Sequence, residues 1–291
     1  MTASAHTFHR YADVEAALAD PHLVPAPAED GPPGTTAWLR ARVARFSSGA
    51  AHARRRALVE AELARLDPVA LRRAAAESDP GAAGADPRLR AVRALAEGIG
   101  LAEPDAVAAA VATVARAYFG TDDPATRASA DAAVAWLLPR VLDPAQAPEA
   151  QGEAAANRIG LLVQACDATG ALVEHAEKAA AEPVQAAALL AETLRHDPPV
   201  RTMRRVAARA TRVAGVDIAE GDLVLLDIAA ANRDPEVFSA PDAFDPQRSA
   251  PPALTFGAAP RVCPGRAHAL ALAAGLLESS KGSRARRQGA N

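Results

Sequence analysis

The sequence predicts a mainly α-helical protein with one small antiparallel β region. Most of the chain consists of Ala-, Leu- and Val-rich segments whose apolar positions recur at helical spacing. Between Thr202 and Asp227 that spacing gives way to short alternating runs, broken by Gly215 and by the Glu220-Gly221-Asp222 turn. No internal repeat interrupts this arrangement.

Taken in order, Tyr11 to Asp20 reads as a short amphipathic helix with Val14, Ala17 and Leu18 on one side, stopped by Pro21. Residues 25–36 are a Pro-, Gly- and acid-rich loop. Ser47 to Leu66 is a helix with Leu58, Leu63 and Leu66 inward, and residues 79–86 are a flexible link. Helical segments follow near 88–98, 103–119 and 123–138, then a Pro-, Gly- and Gln-bearing loop at 142–152. A long helix is expected from Asn157 to about Ala180, and another from Glu182 to His196, ended by Asp197-Pro198-Pro199. After the β region, a loop through Pro241–Arg248 leads to a last helix ending near Leu277. The tail beyond residue 280 is basic, poor in apolar residues and expected to be disordered.

The 291 residues, 50% hydrophobic and 23% charged, suffice for one large domain with a real core. A net charge of −3 is not the footprint of a nucleic-acid binder. The two cysteines, Cys166 and Cys263, stand far apart in different contexts, so a reducing compartment fits better than a disulfide framework. No basic segment followed by an apolar run opens the chain, and no stretch is long and uncharged enough for a membrane span. The expectation is a soluble, cytoplasmic protein without a membrane or nucleic-acid partner.

The chemistry concentrates in Phe256 to Ala269, F-G-A-A-P-R-V-C-P-G-R-A-H-A. Here Cys263 follows a Gly- and Pro-bearing loop and precedes an apolar helix, with Pro264 expected in its first turn. Unpaired amides and the dipole at a helix start favour a thiolate. Gly257 and Gly265 allow something flat and bulky to approach the backbone. The plainer reading is an unreactive cysteine at a helix start.

This stretch resembles the haem-binding loop of the cytochrome P-450 family, F-G-x-G-x-[HR]-x-C-x-G. Phe256, Gly257, Arg261, Cys263 and Gly265 match, as does the small Ala269, while Ala259 stands where the family usually has glycine. Three further stretches match in family order. His52 and Arg56, four apart and so on one helix face, resemble the pair that holds haem propionates. Taken alone they read as part of a solvated basic stripe with Arg54 and Arg55. Glu192 and Arg195 resemble the family's E-x-x-R, with Arg248 of P-D-A-F-D-P-Q-R as third member of a bracing network. Arg205, opening the first strand, matches an arginine that reaches a propionate. In the long helix the family pattern [AG]-G-x-[DE]-T aligns Asp167 with the acid but Ala168 with the threonine; Thr169 comes one place later, about 100° round the helix.

The resemblance covers about residues 8–278 and implies a P-450-like fold shortened at both ends. By it, residues 1–280 form one haem domain and 281–291 a tail. It further implies a soluble bacterial-type haem-thiolate monooxygenase, binding haem b with Cys263 as iron ligand. His52, Arg56, Arg205, Phe256, Arg261 and Gly265 are the other cofactor contacts, and Asp167 and Thr169 the proton-relay candidates. Its partners are a small organic substrate and a ferredoxin or flavoprotein electron donor, and it is expected to be a monomer. Ala168 in the threonine's place implies inefficient coupling of dioxygen to product, or a chemistry that tolerates this. The alternative is a truncated or catalytically idle haem-binding homologue.

Overall fold

The structure, a computed structural model, describes residues 4–78, 86–142, 148–180, 184–249 and 251–288. Along the chain these form β1 (Ala5–Phe8), α1 (Tyr11–Ala19), β2 (Leu23–Val24), α2 (Thr36–Arg42), α3 (Gly49–Ala64) and α4 (Pro68–Glu77). Then come α5 (Pro87–Ile99), α6 (Pro104–Tyr118), α7 (Pro124–Leu137), the long α8 (Pro148–Ala179) and α9 (Ala186–His196). The strands β3 (Thr202–Ala207), β4 (Thr211–Val213), β5 (Val216–Ile218) and β6 (Leu223–Asp227) follow, then α10 (Ile228–Ala231) and α11 (Arg266–Gln288). The mainly helical class holds. Two compact units divide these elements, residues 1–26 with 175–266 and residues 27–174 with 267–291.

The first unit is built on a sheet in the order β1-β6-β3-β2. It is mixed rather than purely antiparallel, because β1 runs parallel to β6 with Ala5 opposite Leu223 and Phe8 opposite Leu226. β3 pairs antiparallel with β6, and β4 with β5 forms a separate antiparallel ribbon. The segment before Tyr11 thus supplies a strand. Its carboxylate anchor is Asp222, which accepts from the Ser4 N–H at 2.8 Å and meets His6 Nε2 at 2.9 Å. Phe8, Val14, Leu18, Val224, Leu226 and Phe238 pack beneath as one apolar cluster. Tyr11 meets Phe238 edge to face at 5.8 Å between ring centroids.

In the second unit an Asp-Pro pair starts three helices. Asp67, Asp86 and Asp123 each accept from the backbone N–H two residues on, at 2.9, 2.9 and 3.4 Å. The prolines behind them occupy the first turn, where no N–H is needed. α2, in a stretch not expected to be helical, is capped by Thr35, whose hydroxyl accepts from Trp38 N–H at 3.2 Å. The helix expected over 47–66 begins later, at Gly49. α8 begins at Pro148, inside the stretch expected as a loop, and α11 runs helical to Gln288 through most of the expected disordered tail. The expected link at 79–86 falls, except for Asp86, outside the described residues, as does Glu182.

Candidate functional site

The loop carrying Cys263 is framed from α9. Glu192 and Arg195 are 4% and 2% exposed, and Arg195 donates to the Glu192 carboxylate through two nitrogens, at 2.9 and 2.6 Å. Arg248 Nε approaches the same carboxylate at 3.3 Å, and the Asp245 N–H donates to it at 2.9 Å. The two guanidiniums then tie down the preceding loop, residues 239–248. Arg195 donates to the carbonyls of Pro241 at 2.7 Å and Ala243 at 2.9 Å, and Arg248 to those of Ser239, Ala240 and Ala243. Burial by itself would raise the Glu192 pKa; hydrogen bonds from Arg195, Asp245 and Arg248 more than offset it, and the group stays below the ordinary carboxylate range. The predicted triad is therefore assembled.

A residue that sequence reasoning passed over completes the frame. Asn232 is fully buried. Its amide donates to Leu194 O at 3.2 Å and Thr255 Oγ1 at 3.0 Å, and accepts from Leu254 N–H at 2.8 Å. Thr255 in turn donates to Leu194 O at 2.7 Å. Asn232 thus links the end of α9 to the 3₁₀ turn Leu254–Phe256 that opens the cysteine loop. Its neighbour Asp234 accepts from Tyr11 N–H at 2.9 Å. The sequence signal was an Asn directly after the apolar Ala229–Ala231 run, a polar group that burial would force to find partners.

From that turn the chain passes Gly257, at φ +74° in the left-handed region that favours glycine, and returns so that Cys263 N–H donates to Phe256 O at 2.9 Å. The Arg266 guanidinium lies over the Phe256 ring at 5.7 Å. α11 starts at Arg266 rather than Pro264, so Cys263 sits in the loop ahead of a Pro264-Gly265 turn and not in the first helical turn. The thiol is half-buried, in contrast to Cys166, whose pKa is pushed up to about 12, mainly by burial. From Phe256 to Val262 no side chain is buried. A half-covered thiol among half-covered apolar groups fits a flat apolar macrocycle with a soft-metal centre. Arg261 shares the loop, and Arg205, in the middle of β3 rather than at its start, is 5% exposed.

The second unit holds the other predicted residues. His52 and Arg56 lie on α3, where Arg56 pairs with Glu60 at 2.6 Å. On α8, Asp167 and Thr169 do not converge: two residues turn about 200°, leaving Asp167 exposed, 3.8 Å from Arg88, and Thr169 buried. The less covered face of the helix presents Leu161, Gln164, Asp167, Ala168 and Ala171. α8 is continuous through Gly170, which lets α5 approach; a Cβ there would lie 3.0 Å from the Arg88 backbone nitrogen.

Comparison with known proteins agrees with this geometry. Residues 186–272, the stretch from α9 through the cysteine loop, match the family model described as Cytochrome P450. Over 74 residues the chain is 45% identical to the biotin biosynthesis cytochrome P450 of Bacillus subtilis, covering 25% of this chain and 19% of that protein. It is 45% identical over 75 residues to linalool 8-monooxygenase of Pseudomonas putida, covering 26% and 18%. These alignments span about a fifth of the relatives' length. The fold match is wider. The structure of P450BioI with an acyl carrier protein superposes with a TM-score of 0.77 at 20% identity, covering 96% of this chain and 84% of that one. CalO2 follows at 0.74 and 23%, covering 94% and 81%. Residues 186–272 are thus similar to the cytochrome P450 family, whose members bind haem b, and the fold is that of solved P450 structures. Among the described residues no helix is long and apolar enough to cross a membrane.

Proposed function

We propose that the chain is a haem-thiolate monooxygenase, oxidising a small organic molecule with dioxygen and electrons from a separate ferredoxin or flavoprotein. The observation that supports this reading is a half-buried Cys263 in a loop whose opening turn Asn232 and Thr255 hold to α9. When bound, haem supplies an iron whose thiolate ligation favours O–O cleavage. Cys263 would hold the iron through Sγ. Arg205 and Arg261 suit the haem carboxylates, since a guanidinium is always charged and donates in a planar fork. Phe256 and Gly265 would flank the sulfur, and the Glu192–Arg195–Arg248 network with Asn232 would keep it in place. For His52 and Arg56 the family resemblance alone carries a cofactor role.

The test is the absorption spectrum of purified, haem-supplemented protein, reduced and saturated with carbon monoxide. A Soret band at the thiolate-ligated position, lost in Cys263→Ser, is expected. No haem uptake, or a band at the position of a neutral ligand, would overturn the reading.

A further inference from the structure

The two prolines that lead into the cysteine loop cannot tether themselves through their own amides. Pro251 and Pro252 carry no backbone N–H, so this stretch only accepts hydrogen bonds, and a donor must come from elsewhere. The structure supplies one from 241 positions earlier: Tyr11 OH donates to Pro252 O at 3.0 Å. Tyr11 is itself fixed at two further points. Its N–H donates to Asp234 Oδ2 at 2.9 Å, and its ring, 9% exposed, meets Phe238 edge to face. Asp234 is braced in turn, its other carboxylate oxygen accepting from Glu236 N–H at 3.0 Å and its carbonyl from Phe238 N–H at 2.8 Å. With main chain and ring both gripped, the phenol hydroxyl has one place to go.

This bond lies close to the frame of the sulfur. Two residues after Pro252, Leu254 N–H donates to Asn232 Oδ1 at 2.8 Å. Leu254–Phe256 is the 3₁₀ turn whose last carbonyl accepts from Cys263 N–H at 2.9 Å. Tyr11 and Asn232 therefore grip the same short lead-in, one on each side of Ala253. All of these residues belong to the first unit.

We propose that Tyr11 is a positioning residue for Cys263, acting through Pro252 and the Leu254–Phe256 turn. Its hydroxyl keeps the lead-in from sliding, and so keeps the Phe256 carbonyl where the cysteine amide meets it. The bearing on iron ligation rests on the haem-thiolate reading above; the hold on the loop does not.

Tyr11→Phe removes the hydroxyl and keeps the ring. In the haem-free full chain, alkylation of Cys263 by iodoacetamide should quicken by about two- to tenfold, the range that one ordinary hydrogen bond sets. Cys263→Ser gives the background from the buried Cys166. Ile218→Ala, a core truncation in β5, should lower the urea midpoint at least as far and leave the alkylation rate unchanged. Should circular dichroism show Tyr11→Phe unfolded, Asp234→Ala releases the same residue by its main chain, and the same quickening is expected. In haem-supplemented protein, reduced and saturated with carbon monoxide, Tyr11→Phe should move a larger share of the Soret band to the neutral-ligand position than wild type. Wild type without haem would sink the haem-thiolate reading and leave the alkylation rates to decide the role of Tyr11. An unchanged rate in the folded variant, an equal rise in Ile218→Ala, or an unchanged Soret share in a haem-binding variant would each overturn the proposal.

Discussion

Glu192 is the residue that ties the loop of residues 239–248 to α9 most directly. Its carboxylate is shared by two guanidiniums and a backbone N–H. Removing one member of a buried charged set leaves the others uncompensated, at a cost of about 3–5 kcal/mol. Glu192→Gln is therefore expected to lower the urea midpoint with little change in slope. The pH dependence follows from the depressed pKa of the folded state. The contribution of Glu192 is present above the unfolded carboxylate value and is lost as pH falls through the lower, folded one. Wild type should lose stability in acid more steeply than Glu192→Gln across that window; parallel curves would contradict it. Asn232→Ala strips the partner from Leu254 N–H, and a buried group left unpaired costs about 1–3 kcal/mol, while Leu194 O keeps the Thr255 hydroxyl. Asn232→Asp is the informative companion, because it keeps the acceptor for Leu254 and loses the two donated bonds.

At the scale of elements, α8 sets two opposing effects against each other. Gly170→Ala should gain roughly 0.8–1 kcal/mol of helix propensity. The added carbon would stand 2.3 Å from Arg88 Cγ and 3.0 Å from its backbone, and such overpacking costs about 1–3 kcal/mol. The steric term wins because backbone atoms cannot rotate away, so a lower thermal midpoint is expected. Ala168→Thr is a different experiment, placing an alcohol on the less covered face of α8 where Thr169 cannot reach. On the monooxygenase reading, product formed per reductant consumed should rise several-fold; an unchanged ratio would count against a role for this position. The same helix shows what the sequence made legible. Its apolar run marked a long helix, and the family resemblance, rather than spacing, implied that Glu192, Arg195 and Arg248 converge. The missed features were local or relational. α4 was signalled by Asp67-Pro68, a cap that needs no hydrophobic pattern. β1 is four residues whose pairing with β6, over two hundred positions away, no local pattern encodes. Asn232 looks inert until its partners are known, and Asp167 and Thr169 looked like a pair only because neighbours in sequence need not be neighbours round a helix.

Across the whole molecule, the family match at 186–272 coincides closely with the chain-terminal part of the first unit. The sulfur, its enclosing turn, the buried charge network and Asn232 all lie there. Tyr11 and Asp234 join the earlier segment to it through a 2.9 Å hydrogen bond, so Asp234→Ala should loosen that attachment. Faster amide exchange at Tyr11, with Glu192 and Arg195 contacts intact, is the expected signature. The placement of the cysteine's supports has an evolutionary corollary. Because the hydrogen bonds of Glu192, Arg195, Arg248 and Asn232 described above close within a single compact body, the helices of the other body can diverge in length, capping and surface chemistry without breaking them. Selection can rework them while those bonds stay closed.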